Sequence, residues 1–255
     1  MVFFAIQFVL GFYSRKIFID YLGTEILGLN TTAVNILQFL NLAELGIGAA
    51  VGFSLYKPLH DKDHDTICDI VSLQGHFYRR IAYGIIGASV CVMAAFPWIF
   101  HKMTLPLWYA YASFAVVLFS ALLGYFVNYR QIVLSSAQME YKIQYSQTSW
   151  TIVKVILQIV AVRYSEHPYV AWLALEFIFT IISAYSLHRA TQKAFPYLEQ
   201  SKKCFRELRQ QYGVILVKIK QVFMHRLGCF AMTQTSPLII YAYISLDMVA
   251  IYGNY

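Results

Sequence analysis

The stretch ILQFLNLAELGIGAAVGFSLYKPL, residues 36–59, is an apolar segment of helix length with a single carboxylate, Glu44, inside it. It ends at Lys57 and Pro58 and runs into the charged sequence HDKDHD, residues 60–65. An ionisable group in such a segment costs about 2.5–3.5 kcal/mol if it faces lipid, so Glu44 demands a protein or water partner. A soluble core does not need this pattern. It predicts a membrane protein with a polar interior.

The rest of the chain agrees. Hydrophobic residues make up 59% of the 255, and charged residues only 13%, about half the usual share of a soluble domain, which is roughly 25%. Residues 81–101, 103–129 and 227–246 contain no Asp, Glu, Lys or Arg, and a helical span needs about 20 such residues. The pattern predicts spans at 1–19, 33–56, 80–100, 105–127, 147–163, 168–188 and 227–246, with an eighth beginning near 248. The apolar ending VAIYGNY predicts a fragment of a longer chain, and Arg15 and Lys16 fall inside or beside the first span.

Cation placement sets the orientation. The segments 57–80, 128–146 and 189–226 carry most of the 20 Lys and Arg, whereas the segment 20–32 has Asp20, Glu25 and no cation. The basic segments are therefore expected in the cytoplasm, with the amino end also cytoplasmic. This bias accounts for the net charge of +7, so nucleic-acid binding is not required. Four cysteines without CxxC spacing read as inert thiols.

Between the sixth and seventh spans lies one long connector. Its Phe205, Leu208, Tyr212, Ile215, Ile219 and Val222 recur every three or four residues among Lys and Arg. That pattern predicts an amphipathic helix on the membrane surface. The expected division is a six-helix lobe over 1–190, a cytoplasmic linker over 191–226, and the start of a second lobe over 227–255.

Polar residues within the spans are the candidate site. Gln38, Asn41 and Glu44 follow at steps of three and share one broad helical face. Glu44 has two readings: a proton or cation coupling site in a water-filled cavity, or a structural brace bonded to Arg15 or Lys154. Arg15 and Lys154 are the matching cations for an anionic ligand such as a lipid diphosphate. Snorkelling to the interface is the alternative for both, and Glu176 could neutralise Lys154. Thr235 and Ser236 precede Pro237, where the missing backbone donor predicts a kinked polar patch in the seventh span. Gly48 and Gly52 form a GxxxG pair suited to close helix packing. No nucleotide-binding loop, HExxH or GxSxG motif is present, so an ATPase, a metalloprotease or a serine hydrolase is unsupported. Neither an enzyme nor a bound cofactor is expected.

The blocks RKIFIDYLGTEILGLN (15–30) and NILQFLNLAELGIGAAVGFSLYKPL (35–59) resemble bacterial polysaccharide flippases, which export O-antigen or capsule repeat units. YRQIVLSSAQMEY (129–141), FPYLEQ (195–200) and the closing VAIYGNY extend the resemblance along the chain. It implies the superfamily of multidrug, oligosaccharidyl-lipid and polysaccharide exporters: an all-α polytopic bundle with two six-helix lobes. This chain would supply the first lobe, the linker helix and the seventh span. The implied activity is translocation of an undecaprenyl-diphosphate-linked oligosaccharide across the inner membrane by alternating access. Arg15 and Lys154 would hold the diphosphate, while Gln38, Asn41, Thr235 and Ser236 would face the glycan. A proton or sodium ion at Glu44 would be the coupling ion, and membrane lipids the surroundings. Many relatives look to carry Thr-Asp where this chain has Thr235 and Ser236, which raises the weight on Glu44. A cation-coupled drug or metabolite antiporter shares the architecture. A membrane glycan polymerase or acyltransferase wants a large outer loop that the chain lacks.

Overall fold

The structure, a computed structural model, describes residues 2–44, 46–100 and 105–243, with side chains at 6–38, 40, 41, 44, 46–100 and 105–229. Every regular element among them is helical. They are α1 (Val2–Leu40), α2 (Ile47–Asp61), α3 (His64–Ile99), α4 (Trp108–Phe126), α5 (Gln131–Ser136), α6 (Glu140–Tyr164), α7 (Pro168–Ala194), α8 (Phe205–Gln211) and α9 (Gly213–Tyr243). Short 3-10 turns at Asn41–Glu44 and Asn128–Arg130 join α1 to α2 and α4 to α5.

Three of these helices, α3, α4 and α7, are long and apolar enough to cross a membrane. Their outward faces fit that environment: Tyr83, Val90 and Trp98 stand exposed along α3, and Phe177, Ile178 and Ile181 along α7. An apolar exterior of this extent suits lipid rather than water. The predicted spans 1–19 and 147–163 carry charges or border them, the span 33–56 is interrupted, and the span 227–246 extends beyond the described residues. Arg15, Lys16 and Asp20 lie within α1, and Lys142 and Lys154 within α6.

Two glycines decide where the first helices bend. Gly23 has φ 83° and ψ 166° and breaks the α1 geometry, so the expected outer segment 20–32 is helical on either side of one residue. Gly46 has φ 100°, a conformation that a Cβ opposes. A Cβ there would also stand 2.7 Å from the backbone nitrogen of Phe223 on α9. The second span, expected as one helix over 33–56, is therefore broken at residues 41–46, and α9 crosses at the break.

The hairpin between α2 and α3 is tight. Lys62 takes the left-handed conformation at the end of α2. Asp63 then caps α3, accepting bonds from the Thr66 amide (3.1 Å) and hydroxyl (2.6 Å). The GxxxG expectation holds at the level of packing. The Gly48 position sits against the Tyr78 hydroxyl, and Gly52 against Ser136 and Ile132.

The largest apolar core lies at the basic end, where Leu55, Ile67, Val133, Leu134 and Leu187 are fully buried. A second, around Phe96 and Phe114, ties α1 to α3 and α4. The connector departs from expectation. Leu208 and Ile215 are buried, and Tyr212 and Ile219 pack against the main core. The apolar stripe thus covers the bundle rather than a lipid surface. It is also split, since α8 ends at Gln211 and α9 runs unbroken through residue 227 into the seventh predicted span.

Candidate functional site

Glu44 closes the 3-10 turn, and its carboxylate turns inward because the broken helix no longer holds it on the Gln38 face. Tyr78 of α3 donates to one oxygen at 2.7 Å, and Tyr125 of α4 to the other at 2.9 Å. The Tyr125 hydroxyl also lies 3.1 Å from Asn41 Oδ1. Both tyrosines are buried, with their rings 5.4 Å apart edge to face, a favoured aromatic geometry. Among the described residues, no cation lies within ion-pair distance of Glu44. The expected partners, Arg15 and Lys154, are replaced by two neutral hydroxyls.

The tyrosines, Asn41 and Glu44 line a cavity of about 240 Å³ together with Gln74 and Gln131. Gln74 is 1% exposed, and neither its Oε1 nor that of Gln131 has a hydrogen-bond partner. Buried polar atoms without partners are rare in folded proteins.

A second cavity, of about 310 Å³, shares Ser120, Gly124 and Gln131 with the first. Lys154 of α6 and Glu176 of α7 meet here at 2.7 Å. Gln158 donates to the other Glu176 oxygen at 2.9 Å and to the Trp172 carbonyl at 3.3 Å. The pairing of Lys154 with Glu176 is as the sequence suggested. Gln147 and Thr151 add neutral hydrogen-bonding groups to the wall. The two cavities adjoin across these three residues.

The other expected residues fall elsewhere. Gln38 is exposed and joins Asn41, Glu44 and Arg226 around a third cavity, of about 350 Å³. Arg15 is exposed on α1 and lines neither of the two adjoining cavities. It is not brought to Lys154. The side chains of Thr235 and Ser236 lie outside the described residues. Sequence reasoning missed Tyr78, Tyr125, Gln74 and Gln131. Gln74 and Tyr78 are one turn apart on α3, a spacing that puts them on one face, and that was the available signal.

At the basic end, Asp69 is buried and gathers three donors from the connector. They are the hydroxyl of Ser201, Lys203 Nζ at 2.6 Å and the Tyr212 hydroxyl at 3.1 Å. Ser72 accepts from the Ser201 amide at 2.8 Å, and Arg80 stacks on Phe205 at 4.3 Å. The hydrogen bond to Asp69 raises the Lys203 pKa above the ordinary lysine value. This clasp holds the connector to α3.

No protein-family model, curated protein or solved structure matches the chain. The functional reading therefore rests on these cavities and on the sequence resemblance.

Proposed function

We propose that this chain is the amino-terminal part of a flippase that carries a lipid-linked oligosaccharide across the bacterial inner membrane. The observation that carries the reading is the polar cavity between α4, α6 and α7. Its walls present hydroxyl and amide groups suited to a glycan, with one lysine already held beside a carboxylate. The resemblance of residues 15–30 and 35–59 to polysaccharide flippases supports the same substrate, and cation placement supports a cytoplasmic amino end. In this mechanism the diphosphate of an undecaprenyl carrier displaces Glu176 from Lys154, while the lipid tail stays in the bilayer. Exchange of one anionic partner for another keeps the lysine paired throughout, and the displaced Glu176 keeps the hydrogen bond from Gln158. Lys154 rather than Arg15 takes this role, because Arg15 stands apart from that cavity. Alternating access would then need the seven spans and a second lobe.

One observation favours a second reading. The adjoining cavities hold two carboxylates, Glu44 and Glu176, against one lysine, which suits a cation-coupled antiporter of cationic drugs. Proteoliposomes loaded with a lipid-linked oligosaccharide or with a cationic dye separate the two. With the chain reconstituted together with its second lobe, the flippase reading expects sugar translocation that Lys154→Ala abolishes and no dye movement. Dye transport without sugar translocation overturns it.

A further inference from the structure

Where α6 begins and α7 ends, the two helices border a cavity of about 420 Å³ that the transport reading does not use. Its polar lining is Ser146 and Trp150 on α6, with Tyr185, Ser186, Arg189 and Lys193 on α7. Each of these side chains can donate a hydrogen bond, and two of them are cations. No carboxylate or amide side chain lines the cavity. Neither Arg189 nor Lys193 forms an ion pair among the described residues. The Arg189 guanidinium lies over the Tyr185 ring, 5.0 Å from its centre, a cation–π contact that offers its N–H donors no oxygen. What the lining lacks is an acceptor with negative charge.

We infer that this cavity binds the phosphate headgroup of an anionic membrane phospholipid. Phosphate oxygens accept several charge-assisted bonds at once, and a guanidinium meets them in pairs. The order of side chains along the helices selects a lipid over a free ion. Helix α7 is long and apolar enough to cross a membrane, and Ile181 and Ile178 stand exposed one and two turns before Tyr185. On α6, Val153 and Leu157 likewise stand exposed beyond Trp150. At 1.5 Å per residue, Arg189 and Lys193 follow Tyr185 by about 6 and 12 Å along the axis. The polar layer of a bilayer is about 5–8 Å deep on each side, and helical side chains lean toward the amino end, which brings Lys193 back toward it. Aliphatic side chains, then aromatic ones, then cations match the depth profile of a phospholipid. A zwitterionic headgroup would bring its own ammonium into a lining without a carboxylate, so net negative charge is selected. Cations that were merely solvated would need neither the cavity nor its aromatic wall. Trp150 also lines the cavity of Lys154 and Glu176, so a lipid here touches a side chain that walls that site.

The test is lipid binding to the purified full chain in uncharged detergent, read by native mass spectrometry, with melting in lipid-free detergent as the folding control. Dioleoylphosphatidylglycerol should bind at least about tenfold more tightly than dioleoylphosphatidylcholine. Arg189→Gln combined with Lys193→Gln should weaken phosphatidylglycerol alone, by about tenfold or more. Lys193→Gln by itself should weaken it about threefold, which keeps the test decisive if the double variant unfolds. Lys218→Gln combined with Lys220→Gln removes the same charge from exposed positions on α9 and should change nothing. Equal affinity for the two lipids overturns the site. So does equal weakening by the two double variants, which would mean diffuse attraction to a basic protein. Inorganic phosphate that competes as well as phosphatidylglycerol removes the lipid from the proposal, and undecaprenyl phosphate bound in preference gives the cavity to the carrier instead. Sugar translocation has its own assay, so this site and the flippase reading fail separately.

Discussion

The broken segment around Glu44 and the unbroken pair of α6 and α7 each hold a carboxylate inside the bundle, and they satisfy it differently. On α6 and α7 the helices run side by side, so Glu176 reaches only the facing helix and finds Lys154 and Gln158 there. At the break, the 3-10 turn frees Glu44 from the helical row and carries it to hydroxyls on two other helices. The first arrangement is a closed ion pair. The second leaves lone pairs and buried amide oxygens facing a cavity. The straight helix pair closes on itself, whereas the break leaves acceptors open to a cavity.

The largest effect should come from attacking the break itself. Gly46→Val puts a side chain at φ 100° and against the Phe223 backbone, and should cost about 3 kcal/mol or more. Gly87→Ala on α3, where a Cβ meets nothing within 4 Å, should be neutral or slightly stabilising. Apparent melting temperature in detergent checks both; equal losses would mean that the break is not held by its backbone contact.

Next comes the pair. Lys154→Met leaves Glu176 without its cation and should cost about 2 kcal/mol, and adding Glu176→Leu should restore most of that. A double variant as unstable as the single would show that the pair braces the bundle through packing rather than charge. Tyr125→Phe should cost about 1.5 kcal/mol, since it removes a hydrogen bond to a charged group. An unchanged melting temperature would mean that water replaces the hydroxyl freely.

The smallest effect belongs to the exposed Lys203. Its pKa is raised in the folded chain by the bond to Asp69, so its contribution is fully present below the unfolded lysine value. That contribution is lost as pH rises through the higher folded value. Wild type should therefore lose a little more stability than Lys203→Met across that alkaline range, as measured by melting temperature against pH.

The all-helical class and three long apolar helices were legible because apolar run length is a local quantity. Trp108–Phe126 and Pro168–Ala194 begin close to where apolar run length predicts spans. Lys154 with Glu176 was also legible, since the two lie 22 residues apart on consecutive helices. Glu44 announced itself as costly, but its partners did not. Tyr78 and Tyr125 are 34 and 81 residues away, and a tyrosine in an apolar helix reads equally as packing. The step of three from Gln38 to Glu44 misled, because it presumed a continuous helix where Gly46 allows a turn. In the connector, periodicity gave an apolar face correctly but could not tell protein from lipid as its cover.

The Asp69 clasp has a consequence for how small a self-sufficient piece of this chain can be. Ser201, Lys203 and Tyr212 lie 132, 134 and 143 residues beyond Asp69, past the point where a six-helix unit would by count end. A chain cut at residue 190 keeps all of α3 and most of α7 yet strips this buried carboxylate of every one of those donors. Stopping after Tyr212 restores them. The first part of the connector therefore belongs to the bundle it was expected to leave.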